Sequence, residues 1–153
     1  KATLDKLQSP QREDAQAVAA ELWWQRLQDR YAHAGIAWVG GQGSGQMLPG
    51  ALFDSVAENL LQNALAKGRR EDGLEIVAEL GPGNRGWTLR ICDSGSPLPE
   101  ALALRLLREP VPSEDGLGIG LYHAARQAEE LGYQLALDEN SPGRVCFSLS
   151  ARP

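Results

Sequence analysis

The spacing of apolar positions changes several times along the chain, and each change marks an element. Across residues 13–34, Val18, Leu22, Trp23, Leu27 and Tyr31 recur every three to four positions. That spacing predicts a helix, stopped by Gly35. Residues 36–39 read as a short strand and residues 40–46 as a glycine-rich turn. The Gln46-Met47-Leu48 run is expected to pair back on that strand. A second helix is predicted over 51–67, with Gly68 as its stop signal. Residues 74–80 and 87–93 form two strand-like runs around a turn, which predicts a hairpin. Pro99 opens a third helix over 99–109. Two prolines and a glycine make 110–116 irregular. A helix over 118–131 and a closing pair of strands, 133–138 and 144–150, complete the chain.

The order is thus α-ββ-α-ββ-α-α-ββ. Strands come in hairpin-like pairs separated by helices. This predicts an α+β fold, a two-layer α/β sandwich with a mixed or antiparallel sheet and helices on one face. Residues 1–12 are polar and read as a linker, and residues 13–153 as one domain. The chain begins at Lys1 and not at Met, so it is read as a piece of something longer.

Composition narrows the classes. The net charge is −5 and no long basic run occurs, which disfavours nucleic-acid binding. No apolar run is long enough to suggest a membrane span, and no signal peptide is visible. Cys92 and Cys146 make neither a disulfide framework nor a metal spacing. Each sits in an apolar strand-like run, so both are expected to be reduced core residues.

Three stretches could carry chemistry. The first is the second helix, where Asn59 and Asn63 lie one turn apart among Val56, Ala57, Leu60, Leu61, Ala64 and Leu65. Asn is a mediocre helix former because its amide competes for backbone hydrogen bonds. On a helical wheel the apolar stripe centres on Phe53, Leu60 and Ala64. Asn63 lies about 60° to one side of it and Asn59 about 100° to the same side. Lys67 follows one turn beyond Asn63, while Glu58 and Gln62 point the opposite way. An amide oxygen on that flank suits a hard cation such as Mg²⁺. An exposed or loop-capping pair is the plainer reading.

The second stretch is Ile91-Cys92-Asp93-Ser94-Gly95. An Asp at a strand end beside a glycine turn can accept a hydrogen bond from a ligand amine, or it can merely close an Asx-turn. The third is 114–126, where Gly116, Gly118 and Gly120 alternate as a helix begins. Backbone amides at a helix start attract phosphate, and glycine permits close approach. A dinucleotide-binding βαβ unit is a rival, with Asp138 about 20 residues on. That unit needs a strand immediately before the glycines, and irregular sequence stands there instead.

Taken in order, these stretches resemble the ATP-binding domain of sensor histidine kinases. That domain belongs to the GHKL superfamily, shared with gyrase, MutL and a heat-shock chaperone. Residues 59–64 (NLLQNA) resemble the asparagine box, 93–95 (DSG) the first glycine box, and 116–121 (GLGIGL) the second. Residues 143–149 look like the closing strand. The resemblance covers 14–151 and implies a Bergerat-type ATP-binding fold.

It also implies roles. Asn63 would ligate Mg²⁺ bridging the ATP phosphates. Asn59 would support the metal's water shell or the γ-phosphate, as the catalytic position. Asp93 would accept from the adenine amine, and Gly95 would leave room for the base. Gly116, Leu117, Gly118, Gly120 and Leu121 would line the phosphates, Lys67 would help neutralise them, and residues 96–115 would form a lid.

Departures are visible. Pro97 stands where the family commonly has a glycine, the lid has no Phe, and Ala66 occupies the family's usual basic position. The Asn at 59 separates this chain from gyrase-like ATPases and anti-sigma-factor serine kinases, which carry a Glu there as general base.

The implied activity is therefore transfer of the γ-phosphoryl group to a histidine on a separate, upstream dimerisation and phosphoacceptor domain. A response regulator would be the onward partner. The full-length protein would be a homodimer, either cytoplasmic or the cytoplasmic part of an inner-membrane receptor. His33 and His123 lack the acceptor's usual acidic setting and read as ordinary histidines. An anti-sigma-like serine kinase and a degenerate, non-catalytic ATP-binding or interaction domain are the alternatives.

Overall fold

The computed structural model describes residues 16–42, 45–83, 86–112 and 117–153. The proposed linker, 1–12, lies outside them. The elements are β1 (Ala17–Ala19), α1 (Ala20–Arg30), β2 (Ile36–Gly40), β3 (Met47–Pro49), α2 (Gly50–Arg70), β4 (Ile76–Gly83), β5 (Gly86–Asp93), α3 (Glu100–Arg105), α4 (Leu117–Glu130), β6 (Tyr133–Ser141) and β7 (Arg144–Ala151).

Five strands form a mixed sheet in the order β2-β4-β5-β7-β6. β2 runs parallel to β4, because α2 crosses over between them. The remaining pairs are antiparallel. Strand alternation sends Trp87, Leu89 and Ile91 of β5 and Val145, Phe147 and Leu149 of β7 to one face. That face is covered by the helices. The expected α+β architecture, a mixed sheet with helices on one face, is the one observed.

α2 is the central helix. Leu52, Phe53, Val56, Ala57, Leu60, Leu61 and Ala64 are buried, as the apolar stripe predicted. Burying each large side chain contributes about 1.5–3 kcal/mol relative to exposure. Trp23 and Trp24 of α1 close one end of this core. Trp23 packs edge-on against Phe53 at 5.5 Å, and Phe53 against Tyr133 at 5.7 Å.

Several boundaries differ from expectation. Of the helix predicted over 13–34, the described residues are helical only from Ala20 to Arg30. Residues 17–19 are extended and pair antiparallel with Met47–Pro49 as a separate two-stranded sheet. Consequently Gln46-Met47-Leu48 does not return on β2. Val18 packs where a Cβ on Gly50 would stand, 2.9 Å from its Cγ2, so tertiary contact overrides the helical spacing.

α2 passes through Gly68 and ends at Arg70. A helical glycine costs about 1 kcal/mol relative to Ala, which the packed helix absorbs. Lys67, Arg69 and Arg70 in its last turn complement the helix dipole. α3 is shorter than predicted and gives way to turns before Pro110, which disfavours helix in the residue before it.

The cysteine expectation is overturned. Cys92 and Cys146 face each other directly across β5 and β7 and are disulfide-bonded. Sequence spacing of 54 gave no hint of this; the strand register brings their Cα atoms to 4.1 Å. Alkylation of unfolded protein from a non-reducing preparation should modify neither cysteine until a reductant is added. Two modified cysteines at the outset would refute the bond. Cys92→Ser should lower the unfolding free energy by about 2–4 kcal/mol, measured by urea denaturation under oxidising conditions.

Candidate functional site

Asp93 ends β5, and the chain turns immediately after it. The turn is held from three directions. Within it, the Gly95 amide donates to Asp93 Oδ1 at 2.9 Å, the Asx-turn bond that the sequence allowed. On the α2 side, Glu71 accepts from the Ser96 amide at 2.8 Å and from the Ser96 hydroxyl at 2.6 Å. On the β6 side, Asn140 both accepts from the Leu98 amide (2.8 Å) and donates to its carbonyl (3.0 Å). That side chain acts as a one-residue strand partner. Gly143 N–H also donates to the Gly95 carbonyl at 2.9 Å. Pro97, the departure at which a glycine was expected, sits inside this braced segment.

Lys67 reaches the same turn. Its ammonium donates to Asp93 Oδ1 at 2.9 Å and to the Ser96 carbonyl at 2.5 Å. The residue is only 9% exposed. The expected role for Lys67 was phosphate neutralisation; the structure places its ammonium on the carboxylate at the strand end. Gly95 is the reason the side chain fits. A Cβ there would lie 2.7 Å from Lys67 Cε and from Leu74 Cδ1, and 2.8 Å from Glu71 Oε1. Any side chain at position 95 would therefore run into these three groups.

Two turns up α2, Asn59 donates from its amide nitrogen to the Ser55 carbonyl at 2.8 Å. This fixes the carboxamide with its oxygen toward α4. A Cβ on Gly120 would stand 2.1 Å from Asn59 Oδ1, so only glycine admits the contact. Gly118 is pressed against the chain before it in the same way, with a Cβ meeting the Val111 carbonyl at 2.2 Å. Asn63 is half-buried, and its side chain makes no hydrogen bond to any described residue. Glu58 and Gln62 are exposed, as the wheel predicted.

The other expected residues fall out as follows. Leu121 is in the core, so only its backbone is available to a ligand. Leu117 begins α4. Gly116 lies outside the described residues, as does the end of the expected lid, 113–115. The described part of that lid is anchored by Leu106 and Val111, both buried in the main core. They supply the apolar anchor for which the sequence offered no Phe. His33 and His123 are exposed.

Sequence reasoning missed Glu71 and Asn140, which hold the turn without belonging to any motif. Their only signal is tertiary: each is far in sequence from the residues it binds. It also missed that Lys67 pairs with Asp93, 26 positions away.

Among the described residues, no group of three or more His, Cys, Asp or Glu could hold a metal ion. The donor that fits one is Asn63, a half-buried amide with no hydrogen-bond partner among the described residues. A single amide oxygen suits Mg²⁺, which keeps waters and takes its other ligands from substrate phosphates. The close approaches that Gly118 and Gly120 permit are to protein oxygens, the Val111 carbonyl and Asn59 Oδ1.

No protein-family model matches the sequence, and no curated protein matches it. Solved structures do match the fold. The catalytic domain of histidine kinase ThkA superposes with a TM-score of 0.72 at 15% identity, over 90% of this chain and 94% of that one. Full-length ShkA in complex with AMPPNP gives 0.70 at 18% identity, over 89% of this chain and 30% of that one. A mycobacterial sensor histidine kinase, MprB, gives 0.66 at 18% identity, over 90% and 99%. This chain therefore has the fold of histidine kinase catalytic domains.

Glu71 generates a pH prediction. Its hydrogen bonds from Ser96 hold its carboxyl below the ordinary value of 4.5, with the Ser96 side chain as the largest cause. A depressed carboxylate contributes stability above its unfolded value and loses it as pH falls through the lower folded value. Wild type should therefore lose urea-unfolding stability below about pH 4.5 more steeply than Glu71→Gln. Parallel pH profiles for the two would show that the bonds to Ser96 do not matter.

Proposed function

We propose that this chain is the ATP-binding catalytic domain of a two-component sensor histidine kinase. Its reaction is transfer of the γ-phosphoryl group of ATP to a histidine on a separate dimerisation domain. The observation that carries the reading is the span of α2. One end of its polar flank, Asn59, meets Gly120 at the start of α4, and the other, Lys67, meets Asp93 at the end of β5. Eight residues of helix, about 12 Å, separate the two. A base at Asp93 and phosphates toward Asn63 and Asn59 would lie along that flank. The fold likeness supports the same assignment, and one of the similar proteins is in complex with AMPPNP.

Phosphoryl transfer of this kind asks mainly for positioning and charge neutralisation. An imidazole nitrogen bonds to the γ-phosphorus as the bond to the β–γ bridging oxygen breaks. ADP leaves, and the imidazole gives up its N–H proton to solvent. Asp93 orients the base, and Asn63 offers its oxygen to Mg²⁺. Asn59 and the amides at the start of α4 fix the terminal phosphate. When bound, Mg²⁺ neutralises charge on the phosphate oxygens. Asn59 is a poor base, and Glu58 points to solvent, so neither of these residues activates water. That favours a nucleophile which is already basic over hydrolysis.

The acceptor domain, a response regulator, homodimerisation of the whole protein and a cytoplasmic setting follow from this reading. No helix among the described residues is long and apolar enough to cross a membrane.

Titration with a fluorescent ATP analogue should show binding that Mg²⁺ strengthens. No binding at millimolar nucleotide would sink the proposal. Asn63→Ala should abolish the Mg²⁺ effect and reduce transfer to a supplied acceptor domain by about 10²–10³-fold. Gly118→Ala should lose transfer as well, because its Cβ meets the Val111 carbonyl. Glu58→Gln should leave binding and transfer unchanged. Transfer retained in both Asn63→Ala and Gly118→Ala would place the site elsewhere.

A further inference from the structure

Asp93 offers a ligand one oxygen and not two. A carboxylate oxygen has about two lone-pair sites. Both sites of Oδ1 are taken, by the Lys67 ammonium at 2.9 Å and the Gly95 amide at 2.9 Å. Oδ2 accepts no hydrogen bond from any described residue, although the Asp93 side chain is only 10% exposed. With both described bonds on Oδ1, Oδ2 is the oxygen of Asp93 that a ligand donor can reach. Lys67 is held there. Its Cε occupies the space a Gly95 Cβ would need, and the Ser96 carbonyl takes a second of its donors.

We propose, resting on the reading of this site as an ATP site, that Lys67 is a positioning residue which sets base selectivity. By saturating one oxygen of Asp93, it leaves a single acceptor. Adenine needs only that, since its exocyclic amine donates one hydrogen bond. Guanine places a carbonyl oxygen where adenine has the amine. To bind a carboxylate well it must shift and donate from both its ring N–H and its 2-amino group, and that requires both oxygens. Lys67 removes the second. It thereby acts on the base and not on the phosphates, and it does so without touching the ligand.

The test is displacement of a fluorescent nucleotide by ADP, GDP and IDP. IDP carries the ring N–H of GDP but lacks its 2-amino group. Wild type should bind ADP best, with GDP and IDP equally weak, because the extra donor of GDP finds no acceptor. Lys67→Met frees a site on Oδ1. It should cut the ADP-over-GDP preference by about tenfold, with GDP gaining on IDP. Lys67→Arg, which keeps the charge and the donors, should restore the wild-type preference.

A Lys67→Met protein that loses affinity for all three nucleotides alike would show a merely structural role and overturn the inference. So would wild type binding GDP about tenfold more tightly than IDP, since both oxygens would then be accepting. The wild-type comparison needs no variant, so it stands even if Lys67→Met does not fold. Wild type that binds none of the three would instead overturn the ATP-site reading itself, and the inference with it.

Discussion

A buried cation, Lys67, ties the last turns of α2 to the end of β5. Both charges of the Lys67–Asp93 pair are almost withdrawn from water. Removing one partner of such a pair costs about 3–5 kcal/mol, because the other is left buried and uncompensated. The pair is satisfied by further bonds to the Ser96 carbonyl and from the Gly95 amide, which is what makes its burial tolerable. Much of the site's geometry follows from it. The turn after Asp93 has to pass close to α2, so Gly95 has to lack a side chain. Glu71, one turn beyond Lys67, then meets Ser96.

The middle of the same helix obeys a similar constraint with different chemistry. There the close approach is between Asn59 and Gly120, again permitted by a missing Cβ. α2 is therefore held to α4 near its middle and to the sheet at its C-terminal end. The Asn63 side chain, between the two contacts, has no hydrogen-bond partner among the described residues. Two fixed points position the stretch of the flank between them. This suits a surface whose groups must stay available to a ligand.

The opposite face of the sheet is built differently. Arg90 lies near Asp138 and Glu139, Arg144 pairs with Glu139, and the Cys92–Cys146 bond links the two central strands. Among the described residues, no helix covers these groups. The polar cross-strand pairs and the disulfide hold β5, β7 and β6 in register from the side that apolar burial does not reach. Cys92 directly precedes Asp93, so this bracing extends to the strand end on which the site depends.

Much of the fold was legible from local pattern. The helical stripe of Phe53, Leu60 and Ala64, the alternation in β4 and β5, and the closing hairpin all follow from burying one face. Periodicity is a local signal, and it reports that face directly. The asparagine flank and the alternating glycines were legible for the same reason, because they sit at fixed offsets within single elements. What failed were readings that depended on a distant partner. Val18 continued a helical spacing but pairs with β3 because Gly50 admits it. Gly68 looked like a stop but lies in a helix held by its neighbours. The cysteines looked inert until strand register placed them opposite each other.

By itself, then, the sequence determined which residues face inward and which polar groups line one edge of α2, since both depend on spacing along a single element. The tertiary structure decided what those polar groups touch. Lys67 has reach enough for phosphate or for carboxylate, and nothing near it in sequence distinguishes the two. Only the arrival of β5 beside the end of α2, with a glycine at the closest point, commits its charge to Asp93.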